Sequence, residues 1–350
     1  MKILYGVQGT GNGHIARARA MAHAFKLQNV DVDFLFSGRE KSAYFSMEDF
    51  GDYQTRRGLT FCTEKGKVNH LKTAINTNPN QLWKEVSDVD LSSYDVVLND
   101  FEPITAWAAK RQKVPTVGIS HQNAFRYSVP KKGATWLDQT LIQHFAPTEF
   151  YLGLHWYHFQ QPILPPIVHT SLGLETSKQS FILVYLPFED LNEVSQLCLR
   201  FSNHEFICYH PSVKACYQQE NLTFMPLSYT TFQQHLHACQ GVMANGGFEL
   251  PSEALTLGKK LLLKPLSGQF EQMSNVATLE SLGLASSMIW MDPSSVRVWL
   301  DEQPAEKVIY PDVADSIAQW VRQGEWGNVG TLWSDLWEQV DFPHYALINE

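Results

Sequence analysis

Short apolar runs alternate with longer segments of helical spacing along most of the chain. In the first half, strands are predicted at Lys2–Val7, Val32–Phe36, near Val96–Asn99 and in "PTVGIS" (115–120). Helices are predicted at His14–Leu27 and from about Pro103 to Arg111. Runs such as "VVL" (96–98) and "ILVYL" (182–186) are apolar without alternation, as parallel strands covered on both faces must be. Strands that alternate with helices imply an open parallel sheet.

The segment "FQQPILPPIVHTSLGLETSK" (159–178) is rich in Pro, lacks helical periodicity and reads as a linker. Beyond it the pattern restarts. Strands are expected at Phe181–Tyr185, Glu205–Tyr209, Thr223–Met225, Gly241–Ala244 and Lys260–Leu263, and helices near Asp190–Phe201, Thr231–Ala238 and Gln269–Leu282. The expected architecture is therefore α/β, with two doubly wound, Rossmann-like domains at 1–160 and 180–322 joined by a linker at 161–179. Ligands of such sheets lie beyond the carboxyl ends of the strands, so the two domains should face a central cleft. Trp326, Val329, Trp333, Leu336 and Val340 keep helical spacing, which predicts a helical tail over 323–350 packed on the body of the protein.

Composition narrows the chemistry. The chain has 350 residues, with 27 basic and 36 acidic side chains and a formal charge of −9, which argues against broad nucleic-acid binding. The five cysteines (62, 198, 208, 216 and 239) form no C-x-x-C pair, the pattern of reduced thiols rather than of a disulfide frame or zinc site. No signal-like segment precedes the first strand, and no apolar run reaches the roughly 18 residues of a membrane span. A cytoplasmic protein is expected, with peripheral membrane association left open at Lys131–Lys132 beside Trp136.

Two glycine turns stand out. "GVQGTGNGHIARARA" (6–20) places Gly11, Asn12 and Gly13 between the first strand and helix, with His14 at the helix start, where the dipole favours a neutral imidazole suited to a general base. "GNGHIA" also fits the dinucleotide fingerprint, but Ser37, Gly38 and Arg39 stand where NAD binding needs a carboxylate. Asp100, at the end of a strand in the same domain, is the expected partner that orients His14, with Glu102 as the second candidate. A cap for the helix opening at Pro103 is the competing role for Asp100.

The second turn, Asn245–Gly246–Gly247, ends a strand and is expected to open a helix with bare backbone N–H groups, an anion site. It lacks the Lys of a P-loop. Glu253, Gln269, Glu271, Gln272 and Asn275 follow, the carboxylates and amides that sugar hydroxyls need.

Gly246–Gly247, Glu253, Gly258, Pro265, Glu271–Gln272 and Asn275 resemble the donor-binding signature of GT-B glycosyltransferases, and "GTGNGHIARA" resembles their amino-terminal loop. The likeness is to family 28, the peptidoglycan N-acetylglucosaminyltransferase group, and more distantly to family 1. It implies a nucleotide-diphosphate sugar donor, most often UDP-linked; the expected reaction is an inverting transfer, without a bound metal, to an acceptor hydroxyl of a saccharide, a lipid-linked sugar or a small molecule. No cofactor and no metal are expected.

By the same resemblance, His14 is the base, Asp100 its partner and Glu253 the holder of the ribose hydroxyls. Gly246 and Gly247 meet the diphosphate, and Glu271 and Gln272 the sugar. The loop that recognises the base falls near Phe224–Leu227, with Pro226 and Leu227 in contact. Two departures are visible: Pro251 replaces a hydroxyl-rich run, and the Arg that contacts phosphate in family 28 has only Lys214 and His210 as stand-ins. A UDP-sugar 2-epimerase, a non-catalytic nucleotide-sugar sensor and an NADP oxidoreductase suggested by "GNGHIA" and Arg39 are the rival readings.

Overall fold

The computed structural model describes residues 1–59, 63–64, 67–68, 79–168 and 179–348. Of the expected linker, 169–178 lies outside the described residues, as does Cys62.

The first lobe is built on strands β1 (Lys2–Gln8), β2 (Asp31–Ser37), β3 (Gln54–Arg56), β4 (Val96–Asp100), β5 (Thr116–Ser120), β6 (Phe150–Leu154) and β7 (Ile163–Leu164). They pair in the order β3-β2-β1-β4-β5-β6-β7, all parallel. Helices α1 (Asn12–Leu27), α2 (Pro79–Ser87), α3 (Pro103–Gln112) and α4 (Trp136–His144) belong to this half. Every residue of β4 and β5 is buried, which is why the apolar run Val96–Leu98 shows no alternation with polar positions. Strand order reverses between β1 and β4, the switch point at which ligands of doubly wound sheets bind.

The second lobe repeats the plan. Its strands are β8 (Phe181–Tyr185), β9 (Glu205–Tyr209), β10 (Tyr217–Gln219), β11 (Leu222–Met225), β12 (Gly241–Asn245), β13 (Lys260–Lys264) and β14 (Ser286–Ser287), in the order β10-β11-β9-β8-β12-β13-β14. Only β10 runs antiparallel to its neighbour. The helices are α5 (Leu191–Cys198), α6 (Tyr229–Ala238), α7 (Glu249–Thr256), α8 (Phe270–Ser281), α9 (Pro293–Asp301), α10 (Val313–Gln323) and α11 (Gly330–Trp337).

Two expectations need correction. Ile163–Leu164 falls inside the expected linker yet pairs with β6 as the seventh strand of the first sheet. The tail is also shorter as a helix than its spacing predicts, because α11 covers only Gly330–Trp337. Trp326 and Val340 flank that helix and still pack on the main core. The carboxyl end returns to the first lobe: Gln28 donates to Asp315 of α10 at 2.7 Å, and the Trp337 indole donates to the Ile163 carbonyl at 2.6 Å.

Candidate active site

Helix α1 starts directly after the β1 turn, capped by Gly11 in an extended conformation without a side-chain bond. Its first turn meets the first turn of α7 from the other lobe. A Cβ on Gly13 would come within 2.9 Å of the Glu249 side chain, so glycine is what permits this approach. Asn12 also reaches across, donating to the Tyr185 hydroxyl at 3.3 Å, and accepts from Arg39 at 3.0 Å. Arg39 is thus committed to the glycine loop, where it also donates to the Gly9 carbonyl.

His14 and Asp100 come together. His14 Nδ1 lies 2.9 Å from Asp100 Oδ1, the imidazole partly exposed and the carboxylate fully buried at the end of β4. Glu102, not Asp100, caps α3: its carboxylate accepts from the Ile104 and Thr105 amides and from the Ser37 and Thr105 hydroxyls. Asp100 is therefore left for the site. Burial works to raise its carboxyl, but the Arg17 guanidinium and His14 outweigh burial and hold it below the usual carboxylate range.

Arg17, one helical turn after His14, binds this carboxylate with a fork: Nε to Oδ2 at 2.8 Å and Nη2 to Oδ1 at 2.9 Å. Its third nitrogen donates to Glu249 on α7, across the cleft. Burial pushes the Glu249 carboxyl up to about 8, with Arg17 opposing and Glu253 and Asp100 adding to the rise.

This makes a testable statement about stability. The folded Glu249 binds its proton more tightly than the unfolded chain, where the value is 4.5, so its stabilising contribution is complete at acid pH and lost as pH rises through about 8. Between pH 6 and 9 the wild-type melting temperature should fall more steeply than that of Glu249→Gln. A difference between the two that stays constant with pH contradicts this.

The cavity on the neighbouring flank of α1 has a volume of about 120 Å³ and is open at its mouth. Asn12, Gly13, Ile15, Ala16 and Arg19 form one wall; Tyr185, Tyr209, Tyr229 and Phe232 supply aromatic faces opposite. Leu227 lines it, but Pro226, paired with it in the sequence reading, does not. Glu253 closes one side, buried and bonded by Gln233 Nε2 at 3.1 Å. Burial pushes its carboxyl up to about 7, against that hydrogen bond and the charge of Arg19. His14 is not part of this wall; it faces Asp100 instead.

The second glycine turn is differently used than expected. The Gly246 amide donates to the Lys264 carbonyl and the Gly247 amide to the Asn245 carbonyl, so neither is bare. Helix α7 opens at Glu249, with Phe248 as an N-cap that makes no side-chain bond. The uncapped amides of its first turn are those of Glu249 and Leu250, since Pro251 has none. The two glycines also differ: a Cβ on Gly246 would strike Val276 and the Gln272 carbonyl, whereas one on Gly247 would meet open space.

Gln272 and Asn275 act as staples. Gln272 Oε1 accepts from the Leu266 amide, and Asn275 donates to the Gly246 carbonyl while facing His121 Nε2 at 2.7 Å. Glu271 is held by Gln122 of the first lobe, with both oxygens at 3.2 Å. The 120–136 segment thus meets α8 through His121 and Gln122. Lys132 and Trp136 are exposed there, and the Lys132 amide donates to the Ser274 hydroxyl.

The two stand-ins for a phosphate cation are engaged locally: Lys214 is exposed and bonds the Pro211 carbonyl, and His210 faces the Glu189 carbonyl. A buried cation that the sequence reading passed over, Lys264, ends β13 and pairs with Glu189 at 2.8 Å; Asn245 donates to the same Glu189 oxygen at 3.1 Å.

Among the described residues no three His, Cys, Asp or Glu side chains converge as metal ligands. Two Asp-x-Asp runs occur in the chain, 31–33 and 88–90; the first opens β2, at the end of the strand away from the cleft. No described helix is long and apolar enough to cross a membrane.

Two mainly parallel seven-stranded sheets facing one cleft, with the glycine loop of one opposed to the helix start of the other, define the GT-B fold, and the chain is a glycosyltransferase. Its residues 1–304 match the profile of glycosyl transferase family 1, and the chain belongs to that family. The glycotransferase of kitacinnamycin is similar in structure at a TM-score of 0.60 and 14% identity, covering 97% of this chain and 99% of the other. Arabidopsis thaliana UGT89C1, solved with UDP, gives 0.58 at 11% identity over 96% and 99%. Acinetobacter baumannii MurG gives 0.52 at 13% identity over 92% and 100%. No curated protein sequence matches the chain.

Proposed function

We propose that the chain transfers a sugar from a UDP-linked donor to an acceptor hydroxyl, with inversion at the anomeric carbon and without a bound metal. The observation that supports this best is the meeting of the His14–Asp100 pair with the amino end of α7 across one cleft. The nucleoside occupies the cavity, its base among Tyr185, Tyr209, Tyr229 and Phe232 and its ribose hydroxyls toward Glu253.

The diphosphate faces the Glu249 and Leu250 amides, where the helix dipole contributes up to about 2 kcal/mol in partly buried geometry. Burial favours the protonated form of Glu249, which lessens its repulsion of the diphosphate. His14 takes the acceptor proton while Asp100 holds the ring. The acceptor oxygen bonds to the anomeric carbon as the bond to diphosphate breaks, and the diphosphate leaves with that electron pair. The proton then passes from His14 to solvent.

The test incubates the chain with UDP-, GDP- and dTDP-sugars, water serving as the acceptor. Release of UDP with the inverted sugar anomer, read by proton NMR, is the expected result. A retained anomer, or a new nucleotide sugar without UDP release, overturns the reading.

A further inference from the structure

A carboxylate beside a histidine normally has two effects that cannot be separated. It orients the ring, and it draws a proton onto it. Here the carboxylate is shared. Asp100 accepts from Arg17 through both oxygens, and Oδ1 also faces His14 Nδ1. Arg17 Nη2 lies 3.1 Å from that same Nδ1. A guanidinium only donates, so Oδ1 is the acceptor that Nη2–H and an Nδ1–H can share, which turns Nε2 away from the carboxylate.

We infer that Arg17 is a positioning residue that neutralises Asp100, so that the carboxylate holds His14 without charging it. The inference rests on the reading of His14 as the base. Four observations carry it. Arg17 and Asp100 are almost fully buried, where an unpaired carboxylate would be costly. The fork fixes the carboxylate plane as well as its charge. Arg17 sits at i+3 from His14, on the same face of α1. And Glu249 holds the remaining nitrogen from the other lobe, so the fork is seated by α7. Asp100 on β4 and Arg17 on α1 face the imidazole, and the charged and titratable groups that act on that pair in turn are Glu249 on α7, coupled to Glu253, and Tyr5 on β1.

The test is the titration of His14 in the full chain, followed by ¹⁵N NMR of labelled histidine and identified by the signal missing in His14→Gln. Neither donor nor acceptor is present, so a failure of the proposed transfer leaves this readout intact. In Arg17→Met the midpoint should rise by about one pH unit or more, since Asp100 then acts on His14 alone. Adding Asp100→Asn to that variant should reverse the rise. Arg17→Lys, which keeps the charge and loses the fork, should shift the midpoint the same way by less, and serves if Arg17→Met does not fold. An unmoved or lowered midpoint in these Arg17 variants, or a rise that persists with Asp100→Asn, overturns the inference.

Discussion

His14→Ala should lower turnover by a factor of about 10² or more while UDP binds as tightly as in the wild type. The expectation follows from where the residue sits. Its Nδ1 is engaged with Asp100, and it takes no part in the cavity wall formed by its neighbours on α1. Removing the ring therefore strips a proton acceptor without disturbing the aromatic faces or Glu253. Steady-state kinetics beside calorimetry with UDP separates the two quantities. A loss of UDP affinity comparable to the loss of turnover would place His14 in donor binding instead.

Glu253→Ala should do the reverse. A hydrogen bond to a charged group contributes about 1.5–3 kcal/mol, so losing it should weaken UDP binding by roughly 10- to 100-fold, with turnover at saturating donor little changed. The carboxyl also sets a pH dependence. It is pushed up to about 7 by burial, so UDP affinity should fall as the pH drops below that value and the acceptor is protonated. Glu253→Gln should flatten that dependence. Equal UDP affinity in wild type and Glu253→Ala would remove the ribose role.

The elements were largely legible because both sheets are covered on two faces. Strands such as Phe181–Tyr185 and Glu205–Tyr209 occur where their apolar runs predict them. The His14–Asp100 pair was legible for a related reason: a helix start and a strand end in one doubly wound sheet converge at its switch point. Other features were not legible, each for a physical reason. Helix α7 opens at Glu249 rather than at the glycines because Gly246 and Gly247 spend their amides on the strand end. Arg17 and Glu249 lie 232 positions apart, and nothing local links a residue in one helix to a carboxylate in the facing lobe. Spacing of one turn from His14 was the only signal that Arg17 carried. Ile163–Leu164 was hidden by flanking prolines that read as linker, although an edge strand tolerates such neighbours.

The central claim is that a leaving diphosphate rests against the first turn of α7, opposite His14. A crystal structure of the chain with UDP tests it most directly. Phosphate oxygens should lie within hydrogen-bond distance of the Glu249 and Leu250 amides, and the ribose hydroxyls on Glu253. UDP seated elsewhere, with those amides turned to water, would contradict it.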